Sequence, residues 1–302
     1  MSTPSLSWDP IHDVHQLLAF PFMVNALEAG TIVAVLAAVV GWYMVLRRQT
    51  FAGHTLALMA FPGAAGAALA GLPGALGYYV SCGAAAVLMG RGRGHGTRGH
   101  GGESAAIGTV QTAGLALGFL FLSLYHGVLG GLESLLFGTF LGVSRGQVLT
   151  LLIVACVALV LIGVVGRPLL FATVDDQVAR AHGVPVRALD IAFMLILGLA
   201  VAATSQITGA LLVFALLVAP AAGAQALTAR PALGLALSIA FAVLVVWLGL
   251  GIAYFSIYPV GFFTTTFAFA LYLLARLAGA GVRRSRGARS GINGAPRREA
   301  GR

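Results

Sequence analysis

MVLRRQTFAGHTLALMAFPGAAGAALAG, residues 44–71, is the stretch on which the fold turns. An apolar run stops at Arg47-Arg48, and a few residues later another begins with His54 and continues through small and apolar side chains to Gly71. The pattern is that of two membrane-crossing helices joined by a short basic loop. It repeats along the chain: apolar runs of about 20 residues recur from Val24 to Leu277, each long enough to cross roughly 30 Å of hydrocarbon. Composition agrees, since 59% of the 302 residues are hydrophobic and only 9% are charged. A soluble domain carries about a quarter charged residues. The short alternating segments of a transmembrane β-barrel are absent. The fold class is therefore an all-α polytopic membrane protein of about eight to ten transmembrane helices.

Spans are expected at roughly 24–46, 54–71, 75–90, 105–124, 146–166, 189–206, 209–228, 232–255 and 260–278. The turn at Ser205-Gln206 is tight enough for two of these to be one broken pair. Between the fourth and fifth spans lies GVLGGLESLLFGTFLGVSRG (127–146), which is apolar but interrupted by glycines and reads as a short or re-entrant helix. Forty-one glycines in the chain suit closely packed membrane helices.

The formal net charge is +9, yet the basic residues do not form a nucleic-acid-binding face. Arg47, Arg48, Arg91, Arg93, Arg98, Arg167, Arg180, Arg187, Arg230, Arg276 and the tail all fall on one side of the predicted bundle, with Arg145 opposite. Cytoplasmic loops are enriched in Lys and Arg, so that side is inside. Residues 1–22 then form an external segment without the basic start and small-residue cleavage site of a signal peptide. Residues 23–278 form the membrane domain, and 279–302 a basic, disordered cytoplasmic tail near anionic lipid headgroups.

All 18 basic residues are arginine. A Walker A loop needs the lysine of GxxxxGK[ST], so the chain does not form one, and no catalytic residue is assigned. Any ATP hydrolysis belongs to a separate subunit. Cys82 and Cys156 lie inside apolar runs without CxxC or Cys/His neighbours, which excludes a disulfide framework or zinc site built on them.

Six other features stand out. The loop FATVDDQVARAHGVPVRALD (171–190) is the most polar piece of the chain's middle; Gln177–His182 can form a short helix stopped by Gly183 and Pro185 and able to dock into a partner's groove. Pro220 lies inside an apolar helix, where it frees the Leu216 carbonyl and breaks the helix. Glu28 is the acidic residue deepest in a span, where an unpaired carboxylate would cost on the order of 2–3 kcal/mol, so it faces the bundle interior or an outer vestibule. His126 and Glu133 flank the outer mouth. Asp9, His12, Asp13 and His15 fit an amphipathic interfacial segment. His95 and His100, among glycines and arginines, fit a linker in which nearby positive charge repels a cation.

The chain resembles the permease subunits of zinc/manganese/iron uptake ABC transporters. The resemblance rests on four segments in order: LRRQTFAGHTLALMAFPG, ESAAIGTVQTAGLALGFLFLS, LLFGTFLGVS, and D-x-x-A-x-x-x-G at Asp176, Ala179 and Gly183 followed by SQITGALLVFALLVAPAAGAQAL. It implies a permease that pairs as a homodimer in a bacterial cytoplasmic membrane. Such a permease receives a divalent metal from an external solute-binding protein and docks an ATP-binding subunit through the Asp176–Ala179–Gly183 segment. No cofactor is bound by the chain itself; the metal is cargo, and ATP sits on the partner.

Many relatives carry an aspartate and, four residues later, a histidine on the helix after the arginine pair. Here those positions hold His54 and Leu58. An imidazole without a carboxylate suits zinc better than manganese, so zinc comes first, with manganese and iron behind it. His54 and Glu28 are the expected residues of the metal path. Two rivals stand beside this. One is a permease for an organic chelate or cobalamin-like ligand, which Gly209, Phe214 and Pro220 would loosely fit. The other is an ion-coupled secondary transporter, which the scarcity of deep carboxylates opposes.

Overall fold

The computed structural model describes residues 15–92, 100–125, 138 and 142–292. Among these residues the regular structure is helical: α1 (Pro21–Leu46), α2 (Thr50–Leu69), α3 (Gly74–Gly92), α4 (His100–Leu124), α5 (Arg145–Val174), α6 (Asp176–Ala181), α7 (Val186–Leu227), α8 (Pro231–Tyr254) and α9 (Val260–Ile292). In hydrocarbon no water satisfies the backbone, so every crossing segment has to close its own hydrogen bonds as helix. Seven helical stretches are long and apolar enough to cross a membrane, and Leu212–Leu227 is a shorter apolar one. Helix α3 is less apolar, yet it packs against α2 and α7 within the same bundle. These nine segments fall on the nine stretches that the hydropathy pattern marks.

Several boundaries are written locally. Pro21 and Pro231 occupy the first turns of α1 and α8, where a missing N–H leaves no bond unmade. Ser144 and Gln147 form a reciprocal capping box at the start of α5. The last helix continues to Ile292, past residue 279 where composition predicts order to end, and residues 293–302 lie outside the described set.

The long helix α7 has one residue of non-helical backbone, Gly209, at φ 74° and ψ 162°. That conformation is open essentially to glycine alone. It reverses the chain. Asp190, near the start of α7, meets Arg47 at the end of α1, and Gln225, near its finish, donates to the Trp42 carbonyl at 3.0 Å in the same region. Both ends of α7 therefore lie at the Arg47 end of the bundle, and Gly209 is the tip of a hairpin. The break is at Gly209, at the junction of the spans expected at 189–206 and 209–228, whereas Pro220 lies within the return half without interrupting the helix. Proline removes one donor from a helix already packed on its neighbours, whereas a positive φ redirects the whole chain. Gly138, itself at φ 78°, lies against the backbone of Ile207, Thr208 and Gly209.

The core is assembled from small residues that let backbones touch. A methyl at Gly63 would strike the Gly77 carbonyl, and one at Gly77 would strike that of Gly63, so α2 and α3 cross at a glycine-to-glycine contact. Around this, α1 and α7 form the centre, α2 and α3 lie on one flank, and α8 and α9 on the other. The Arg47 end also collects the start and finish of α7 and the finish of α3, where Gly90 lies beside Ile191. Arg145 is at the opposite end, beside Glu28.

Candidate functional site

His54 sits one turn inside α2. Its ring meets Phe214, on the return half of α7, edge-on at a centroid distance of 4.9 Å. Its Nδ1 is buried with no hydrogen-bond partner. Along this turn Thr55, Leu56 and Ala57 are buried, while His54 and Leu58 are each part-exposed, as expected of two residues one helical turn apart on one face. The adjoining face is held elsewhere: Thr55 Oγ1 donates to Gln111 Oε1 at 3.0 Å, tying α2 to α4. The imidazole thus lies at the seam between α2 and the segment that follows the Gly209 reversal, with a free nitrogen and an apolar neighbour where a second donor would stand. Among the described residues no three His, Cys, Asp or Glu side chains gather as a metal site.

Glu28 is not near His54. It pairs with Arg145 at 2.7 Å at the other end of α1, half-exposed beside a cleft of about 710 Å³ lined by Leu27, Thr31, Ile32, Trp247 and others. The two residues expected on one metal path therefore occupy opposite ends of the bundle. His126 and Glu133 lie outside the described residues, as do His12 and His95, and of His100 only the helical backbone is described.

The polar loop is as ordered as its sequence suggests. Asp175 caps α6, accepting from the amides of Gln177 and Val178 at 3.0 Å each. Arg180 binds Asp176 with two nitrogens, at 3.1 and 2.8 Å. Gly183, at φ 76°, stops the helix, and the Val184 amide turns back to the Ala179 carbonyl at 3.0 Å. Ala179 is fully buried and seats α6 on the bundle, so the outward surface belongs to side chains such as Val178 and Arg180. Of the three residues expected to dock a partner, Asp176 stiffens the helix, Ala179 anchors it and Gly183 ends it.

One cluster was not anticipated from sequence. The Arg47 guanidinium donates to Thr173 Oγ1 at 3.1 Å, pairs with the Asp190 carboxylate and lies 5.3 Å from the centre of the Phe193 ring. In sequence Arg47 marks sidedness and Asp190 closes the polar 171–190 loop. The available signal was the charge itself, since an arginine and an aspartate at helix ends in so uncharged a chain invite pairing. A second unanticipated feature is the run Thr204, Ser205 and Thr208, all buried just before Gly209. Thr204 and Thr208 donate back to carbonyls one turn earlier, while Ser205 Oγ has no partner.

Comparison with known proteins places these features in context. A family model described as the ABC 3 transport family matches residues 19–279. The manganese transport system membrane protein MntC of Halalkalibacterium halodurans is 31% identical over 242 residues, covering 80% of this chain and 81% of that protein. The chelated iron transport system membrane protein YfeC of Yersinia pestis is 33% identical over 247 residues, covering 80% and 82%. The solved structure of PsaBC from Streptococcus pneumoniae in complex with a Fab superposes with a TM-score of 0.76 at 27% identity, covering 88% of this chain and 94% of that one. These likenesses favour neither an organic-ligand permease nor an ion-coupled secondary carrier.

Proposed function

The chain belongs to the ABC 3 transport family, and on that premise we propose that it forms the membrane path of an ATP-driven importer whose cargo is a divalent transition metal, zinc before manganese or iron. The observation that carries this is the match over residues 19–279, which contains both the docking segment and His54. The relatives named for manganese and chelated iron support the metal class. The order within the class comes from this chain's own donor. A neutral imidazole with no carboxylate on its face favours the borderline-soft Zn²⁺ over Mn²⁺, which prefers hard oxygen ligands.

In this mechanism a solute-binding protein delivers the ion at the Glu28–Arg145 end, and the arginine-rich end faces the cytoplasm. The ion passes between helices lined mainly by glycine, alanine and apolar side chains. A path with few fixed charges holds it weakly enough to release it. His54, at the seam with Phe214, supplies one nitrogen near the inner exit. Helix α6 receives the ATP-binding subunit through its exposed side, and a second copy of the chain completes the transporter within the lipid.

The test is metal accumulation by cells lacking their own high-affinity uptake systems and supplied with this chain, its ATP-binding subunit and its binding protein. Restored growth under zinc chelation, and its loss when ATP hydrolysis is blocked, is the expected result. Failure to accumulate zinc, manganese and iron alike would overturn the proposal.

A further inference from the structure

The unanticipated arginine joins two parts of the mechanism that no motif connects. Thr173 lies in the last turn of α5, immediately before α6, and Asp190 lies early in α7, immediately after it. One side chain, Arg47, grips both flanks of the docking segment. Its own side chain is 8% exposed and that of Asp190 20%, so the contact is only weakly screened by water. The Thr173 hydroxyl accepts from Arg47 and donates to the Leu169 carbonyl at 2.6 Å, which fixes the direction of the bond.

On the other side Arg47 is the cap of α1, and the next residue, Arg48, has φ 56°. A positive φ in a side-chain-bearing residue persists only where its surroundings impose it. Gln49, buried, then leads into α2 and to His54. The α1–α2 turn is thus tight and braced, and its brace is attached to both ends of the α6 segment. Displacement of that segment either carries Arg47 along, turning the start of α2, or pulls its contacts apart.

We propose that Arg47 is the positioning residue that couples movement of the docking segment to the α1–α2 turn, and through it to the metal path at His54. The proposal rests on the reading of α6 as the ATPase-docking element. It requires the guanidinium fork, because a single ammonium does not hold the hydroxyl on one flank and the carboxylate on the other in the same geometry.

The test uses the assembled transporter in proteoliposomes and reads the amount of metal imported per ATP hydrolysed. A lesion that merely reduces the folded population lowers both quantities together and leaves their ratio alone. Arg47→Gln and the milder, nearly isosteric Thr173→Val are each expected to lower the ratio, the former by about tenfold, a typical size for a coupling free energy. Arg47→Lys is expected to stay well below the wild-type ratio despite keeping the charge; a wild-type ratio in Arg47→Lys would show that charge neutralisation is all Asp190 needs and would overturn the proposal. Val178→Cys, on the exposed side of α6, is paired with cysteines introduced on the ATPase. Cross-linking with unchanged ratios in all three variants overturns the coupling role alone. Absence of any cross-link overturns the docking reading and the coupling role with it.

Discussion

Among the described residues an ion pair between distant parts of the chain lies at each end of α1, and the two differ in what surrounds them. Glu28 and Arg145 meet at 2.7 Å with side chains 41% and 72% exposed. Arg47 and Asp190 meet with 8% and 20% exposed, beneath Phe193. Exposed pairs contribute about 0–1 kcal/mol, because water and salt screen them and each side chain loses freedom in pairing. A buried pair contributes little against an apolar substitute, but removing one member strands the other, at about 3–5 kcal/mol. The Arg47–Asp190 pair is consequently a commitment of the fold, while the Glu28–Arg145 pair is dispensable to it. The difference fits the proposed transporter, which would place a loose contact at the end of cargo delivery and a fixed joint at the end coupled to the ATP-binding subunit.

The largest effect that sharpens this comparison is expected from Asp190→Ala. It removes the carboxylate that faces the buried Arg47 guanidinium, which keeps its contacts with Thr173 and Phe193, and thermal unfolding of the purified transporter in detergent should show a loss of up to about 3–5 kcal/mol. A change as small as that expected for the Glu28–Arg145 pair would erase the distinction. Next comes Gly209→Ala, which forces a side chain into a conformation of positive φ and should destabilise by about 1–3 kcal/mol, with uptake falling further than stability because the hairpin tip moves. Unfolding and uptake assays on the same preparation separate the two. His54→Ala is expected to spare folding, since the lost ring contact with Phe214 is worth only about 0.5–1.5 kcal/mol, while slowing zinc uptake; unchanged uptake with an intact ATPase complex removes His54 from the path. Smallest is Arg145→Ala, for which a stability change of no more than about 1 kcal/mol, shrinking with added salt, is expected from the same unfolding measurement.

The fold was largely legible because the rule that writes it is coarse. Hydrocarbon thickness sets the length of every apolar run, and no alternative to helix satisfies the backbone there. Helix α6 was legible for a local reason: Asp175, Gly183 and Pro185 punctuate a stretch of a few residues, and capping chemistry reads at that range. The reversal was legible to within a few residues, as the turn between the 189–206 and 209–228 runs, but the continuity of the helix through Pro220 was not, since only the backbone angle distinguishes a tolerated proline from a reversal. The Arg47 joint was illegible for a different reason. Its partners lie 126 and 143 residues away, and no period or motif links positions at that separation. His54 stood out as a departure from the aspartate that the family resemblance implies there, but its opposition to Phe214 depended on a hairpin that sequence alone placed only approximately.

The most direct test of the account is metal uptake into proteoliposomes holding this chain with its ATP-binding subunit and loaded binding protein. The expected result is ATP-dependent accumulation of zinc, exceeding that of manganese or iron and reduced in His54→Ala. The contradicting result is ATP hydrolysis by the assembled complex without accumulation of any of the three metals.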